Sequence, residues 1–225
     1  MRGRRRMRRA LVLLVLFNTV FSPAVILTAS NIDEVFGAIE RMSNRNTPEA
    51  YRVRVQNESF DEALSDLPQD IWTGTSKPFV EIYFKKGEGI HLVVENVKSE
   101  YASIFSMYED YLRFSGISNI QNPAELKEII DSGKVVVSDE DNDKVVLKAW
   151  DPEQEEKGNN FAFFTIDKKK WVIDKAVYFL DGSAYVQAEN KYKSIGSYYL
   201  PYEIVLENLV DQSSEVFRLT DYRFE

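Results

Sequence analysis

Residues 161–192 read FAFFTIDKKKWVIDKAVYFLDGSAYVQAENKY, three apolar and aromatic runs separated by two short polar turns. Asp167-Lys168-Lys169-Lys170 joins the first two runs and Asp181-Gly182-Ser183 the second two. Asp-Gly is a strong hairpin signal, because glycine takes a positive φ with no Cβ to clash. Two tight turns in succession predict an antiparallel meander.

The pattern continues in both directions. Downstream, residues 202–209 and 214–225 read as closing strands joined through Asp211-Gln212-Ser213. Upstream, residues 134–150 form a hairpin around the acidic run 139–143, and residues 79–97 another around Gly87-Glu88-Gly89. Residues 51–55 alternate as a half-exposed strand. This amounts to about nine to eleven strands. Helical periodicity appears in three places. Residues 31–44 follow a capping Asn31 and carry Ile32, Val35, Phe36, Ile39 and Met42 on one face. Residues 99–114 carry Tyr101, Ile104, Phe105, Tyr108 and Leu112, and residues 123–132 form a short helix closed by Gly133. The stretch 57–77 reads as a polar, proline-containing connection. The expected fold class is mainly β (α+β): a curved antiparallel sheet with helices against its concave side.

Composition removes whole classes of chemistry. The 225-residue chain has no cysteine, which excludes disulfides, thiol catalysis, thiolate metal sites and a lipid attached through cysteine. One histidine, His91, gives no basis for a multi-histidine metal site and reads as a strand residue. Gly87 and Gly89 lack the further glycine or Gly-Lys-Ser/Thr of a nucleotide loop. The acids at 139–143 resemble a calcium loop, but Lys144 and Trp150 stand where its glycine and bidentate glutamate belong. There is no G-x-S-x-G either. The expectation is a protein without cofactor or metal that is not an enzyme.

The N-terminus is of another character. Six arginines within the first nine residues precede an apolar run at 10–21 and a break at Ser22-Pro23. Ala24, Ala29 and Ser30 offer cleavage points after them. Residues 1–29 thus have the layout of a secretory signal peptide; the competing reading is a retained anchor, since residues 10–29 approach bilayer-spanning length. Removal of 1–29 leaves 22 basic against 36 acidic side chains, net −14. Such a body repels nucleic acid and anionic head groups. Residues 30–225 are read as a single domain with a helical insertion at about 99–133.

Several strands are apolar on both faces. Strict alternation sends Trp171, Ile173, Val177 and Phe179 to one side and Val172, Ala176, Tyr178 and Leu180 to the other. Two apolar faces require a second layer. A long curved sheet with few helices leaves an apolar groove, as in barrels that hold one ligand; the alternative is a core filled by its own side chains.

The run FTIDKKKWVIDKAVYFLDGSAYVQAENKYKSIGSYYLPYEIVLE, with the terminal FRLTDYRFE, resembles the C-terminal half of LolA-like outer-membrane lipoprotein-sorting proteins. The matching pieces are Asp167, Asp181-Gly182, the Gly196 to Pro201 corner and the last strand, Leu219 to Phe224. The resemblance covers about 65 residues well and the remainder by element order. It implies an incomplete β-barrel with a helical lid. It also implies a periplasmic monomer acting as a carrier that shelters the acyl chains of lipoproteins between an inner-membrane transporter and an outer-membrane receptor. Related proteins of this architecture are envelope regulators that sense lipid, which is the alternative function. On either reading the cavity candidates are Phe36 and Ile39 on the first helix, Ile104, Phe105, Tyr108 and Leu112 on the insertion, and Val94, Phe163, Trp171, Ile173, Val177 and Phe179 on the sheet. Periodicity leaves the concave face open, since a slip of one residue exchanges each sheet name for its neighbour.

Overall fold

A computed structural model describes residues 31–117, 121–150 and 158–225; the N-terminal segment read as a signal peptide lies outside them. Ten strands form one antiparallel sheet: β1 (Ala50–Gln56), β2 (Phe79–Lys85), β3 (Gly89–Glu95), β4 (Val135–Glu140), β5 (Lys144–Trp150), β6 (Phe161–Asp167), β7 (Val172–Leu180), β8 (Ser183–Ile195), β9 (Tyr198–Asn208) and β10 (Ser213–Phe224). Their order is β3-β2-β1-β10-β9-β8-β7-β6-β5-β4. Everything from β4 to β10 is a continuous meander of hairpins, and the one long-range closure is β1 against β10, where Val55 faces Leu219. The sheet does not close on itself, since β3 and β4 are both edges. At the β3 edge, Val94 N–H donates to the Ala102 carbonyl at 2.9 Å and Leu92 N–H to the Glu109 carboxylate at 2.8 Å. These bonds occupy donors that would otherwise invite another strand.

The turns follow the local chemistry. Asp181 and Gly182 both take positive φ, 50° and 78°, the type I′ signature. The Asp167–Lys170 turn instead ends in Trp171 at φ 54°, with its N–H donating to the Asp167 carbonyl at 2.6 Å. A bulky residue keeps that conformation where its surroundings fix it: Trp171 lines a small pocket together with Met42, Asn46, Tyr192 and Tyr199, and the Asn46 amide donates to the Lys170 carbonyl.

The described α-helices are α1 (Ile32–Asn46), α2 (Glu58–Ser65), α3 (Met107–Arg113) and α4 (Pro123–Asp131). Asn31 caps α1 through its side chain, accepting from Asp33 N–H, and Val35, Phe36 and Ile39 face inward. The helix crosses the concave face, touching β9, the edge strand β4 and α4. Two of the helical expectations need correction. The stretch 57–77 is not merely a loop, since it holds α2, whose cap is Asn57 accepting from Phe60 N–H at 3.0 Å. Phe60 and Leu64, one turn apart, are both buried, which is the tertiary reward that so short a helix needs. Conversely, residues 99–114 are not one helix. A 3₁₀ turn at Ser99–Tyr101 and further turns precede α3, and Ile104 faces solvent.

One half of the concave face is solidly filled. Phe60 stacks on Phe105 at 4.8 Å and meets Tyr108 and Phe217 edge-on, above Val53, Val80, Ile82 and Leu92. Tyr51, fully buried, donates to the Gln121 side chain at 2.9 Å, tying the segment before α4 to β1.

Candidate functional site: an apolar cavity under α1 and α4

The other half of the concave face is hollow. A cavity of about 330 Å³ lies over β4–β8 and beneath Ile39 of α1 and Leu126 of α4. Its sheet wall includes Val135, Leu147, Ala149, Ala162, Phe164, Ile166, Ile173 and Tyr178. Trp150, Asn160, Phe161, Phe179, Leu180 and Tyr185 stand where β5, β6, β7 and β8 end or begin, and they form the mouth. Leu180 is 51% exposed there. Among the described residues the lining carries no charged side chain. Its polar groups are those of Asn160, Tyr178, Tyr185 and Trp150. Burial pushes the Tyr178 phenol far above its ordinary range, and neighbouring Tyr185 adds in the same direction. The phenol therefore stays neutral at any physiological pH.

Side-chain volume explains why the space is there. Ala149 of β5 pairs with Ala162 of β6, which pairs with Tyr178 of β7; one rung deeper Phe164 pairs with Ala176, and Ala176 with Ala188. Ala149 and Ala162 line the hollow at inward positions where larger side chains would fill it, while Ala176 and Ala188 are fully buried in the packed core. The deep end is closed by the segment Ser115–Ile117. Gly116, at φ 72°, lies so near the sheet that a Cβ would meet Ile173 Cδ1 at 2.8 Å and Phe164 Cε1 at 3.1 Å. The Asn190 amide holds this segment down, donating to the carbonyls of Ser115 at 2.8 Å and Ile173 at 2.9 Å.

Of the twelve residues named from the sequence, Ile39, Ile173 and Phe179 lie on the lining. Phe36, Val94, Phe105, Tyr108 and Leu112 belong to the packed core or its margin, away from the hollow, and Ile104 is exposed. Trp171 lies at the far end beside Tyr192. Phe163 and Val177 face each other across β6 and β7 on the outer surface. At the rim between that surface and the mouth Phe161 stacks on Phe179 at 4.6 Å, Phe163 meets both edge-on, and Lys148 Nζ lies 4.0 Å above the Phe161 ring. The expected grouping of Ile173 with Val177 and Phe179 is broken by a β-bulge. Thr165 pairs with Lys175 but Ile166 pairs with Ile173, so Asp174 is the extra residue. Past it the faces exchange, which puts Ala176 and Tyr178 on the side of Ile173. Sequence reading missed Phe164, Tyr178, Ala149 and Ala162; alanine set among large apolar residues in KAW and FAF was the signal.

Among the described residues no helix is long and apolar enough to cross a membrane, and no group of three acidic or histidine side chains could hold a metal ion. The fold and the cavity together define a half-barrel with an apolar chamber. Solved structures superpose on the fold to differing degrees. An outer-membrane lipoprotein-sorting protein domain from Vibrio parahaemolyticus superposes with a TM-score of 0.50 at 12% identity, covering 87% of this chain and 94% of its own. A DUF1329 family protein from Desulfovibrio piger gives 0.49 at 12% identity over 87% and 94%, and a LolA superfamily protein from Nitrosomonas europaea gives 0.44 at 10% over 88% and 94%. No family model and no curated protein matches the sequence. At 12% identity the likeness to the Vibrio domain is one of fold, and the open antiparallel sheet with helices packed against it that the meander predicts is the arrangement observed.

Proposed function

We propose that this protein is an exported, periplasmic carrier that shelters the acyl part of a lipoprotein, or another apolar ligand, in the chamber under α1 and α4 for transfer toward the outer membrane. The observation that carries this reading is the uncharged lining of a 330 Å³ hollow in a domain whose other half is tightly packed. Cavities of a few hundred Å³ with apolar walls and few polar groups are the usual form of small-ligand sites. Each buried methylene contributes about 0.8 kcal/mol, so even part of an acyl chain is held well against water. The lipoprotein-sorting name of the Vibrio neighbour agrees with this reading. On it, residues 1–29 are the export signal, residues 30–225 the carrier domain, and the partners an inner-membrane transporter and an outer-membrane receptor. Catalysis has no part in it. The test is native mass spectrometry of the mature domain purified from the cell envelope, followed by solvent extraction. A co-purifying lipid, or displacement of a bound hydrophobic fluorophore by lipid, supports the carrier. A folded domain that retains neither would overturn it in favour of an envelope protein without cargo.

A further inference from the structure

We infer that the chamber accepts one hydrocarbon chain at a time, to a depth of about a dozen carbons, and leaves any further chains of a multiply acylated anchor outside. This rests on the carrier reading and specifies its substrate. The argument is volumetric. An apolar cavity of about 150 Å³ takes one benzene, or six carbons; on that scale the 330 Å³ chamber takes about thirteen. Its shape agrees with a single chain. It runs along β7 from Leu180 at the mouth to Ile173 at the deep end, about 20 Å of strand at about 3.3 Å per residue.

Neither end gives more room. Beyond Ile173 the chain meets the Ser115–Ile117 segment, which approaches Ile173 and Phe164 too closely for a methyl group to fit between. Sideways, toward β9 and β10, the space is taken by Leu206, Phe217 and the Phe60 cluster, all buried. A second chain would therefore have to displace core side chains. Polar atoms at the mouth point to where the head group stays. The Asn160 side-chain Oδ1 accepts from Asp181 N–H at 2.9 Å, which fixes its amide at the rim beside Tyr185. Tyr185 and, one strand over, Tyr178 supply the two hydroxyls among the described lining residues.

The experiment is a chain-length series of single-chain lipids with one common head group, from eight to eighteen carbons, titrated into the mature domain by calorimetry. Stoichiometry is read in parallel by native mass spectrometry, with a triacylated lipopeptide as comparison. With each methylene worth about 0.8 kcal/mol, Kd falls about four-fold per added carbon while the chain is entering the chamber. The expected result is that this gain stops at about twelve to fourteen carbons, with one chain bound per protein. A gain that continues undiminished to eighteen carbons, or two or three chains bound per protein, would overturn the single-chain assignment and leave the carrier standing. Failure of every length to bind would overturn both. Shortening the chamber from its mouth-side wall with Ala162→Phe moves the plateau to shorter chains; an unmoved plateau in the folded variant would also count against the assignment.

Discussion

Gly116→Ala tests the chamber's deep wall, and Gly133→Ala is its internal control. Both glycines sit at φ 72°, so both substitutions carry the same backbone cost. A non-glycine residue in the left-handed region costs about 1–2 kcal/mol, offset by about 0.4–1 kcal/mol from the stiffer unfolded chain. At Gly133, where nothing lies within 4 Å of the new methyl, the net loss is about 1 kcal/mol. At Gly116 the methyl also collides with Ile173 Cδ1 at 2.8 Å and with Phe164 at 3.1 Å and 3.2 Å. Overpacking of this kind adds about 1–3 kcal/mol. Ile173 borders empty space, however, and can swing into the chamber, which keeps the added cost toward the lower end. For a domain of this size 1 kcal/mol corresponds to about 2–4 °C in Tm. Thermal unfolding followed by circular dichroism should give a loss of about 2–4 °C for Gly133→Ala and about 4–10 °C for Gly116→Ala. The Gly116 variant should also lose capacity for the longest chains the wild type binds, since relief of the clash consumes chamber volume. Equal Tm losses for the two variants would refute the placement of Ser115–Ile117 on Ile173 and Phe164, and with it the closed deep end.

Three further outcomes follow from other parts of the molecule. Ala162→Phe fills space that the wild type leaves empty, so Tm should stay level or rise while fluorophore binding drops at least ten-fold; a destabilised variant that still binds would contradict the location of the chamber. Tyr51→Phe strands the Gln121 acceptor in the interior and should cost about 1–3 kcal/mol in urea unfolding; a loss below 0.5 kcal/mol would mean that water replaces the hydroxyl. Glu81, buried on the outer face, ion-pairs with Arg223 and lies near Arg52; burial, partly offset by Arg223, holds its carboxyl above the ordinary range. The folded state then binds the proton more tightly than the unfolded one, so this group's contribution is greatest at low pH and is lost as pH rises from about 4.3 through the raised folded value. The stability of wild type relative to Glu81→Gln should therefore decline over that interval, and a difference that grows with pH would reverse the assignment.

Local chemistry determined much of this protein before any tertiary contact is considered. Asn31 as a cap, Asp181-Gly182 as a type I′ turn and the alternating runs around them specify α1 and a meander of hairpins, because each depends on neighbours only a few residues away. The same locality explains the errors. Phe60 and Leu64 make α2 worthwhile only because Phe105, Tyr108 and Phe217 wait beneath it, and those partners lie far off in the chain. The face of β7 that turns inward was decided by Asp174, one bulged residue whose extra place shows only in the pairing of β6 with β7. The chamber is a tertiary property in the fullest sense. Alanines at 149 and 162 are ordinary one by one; they leave room because the sheet pairs them across β5 and β6 while α1 and α4 bridge above instead of filling the gap.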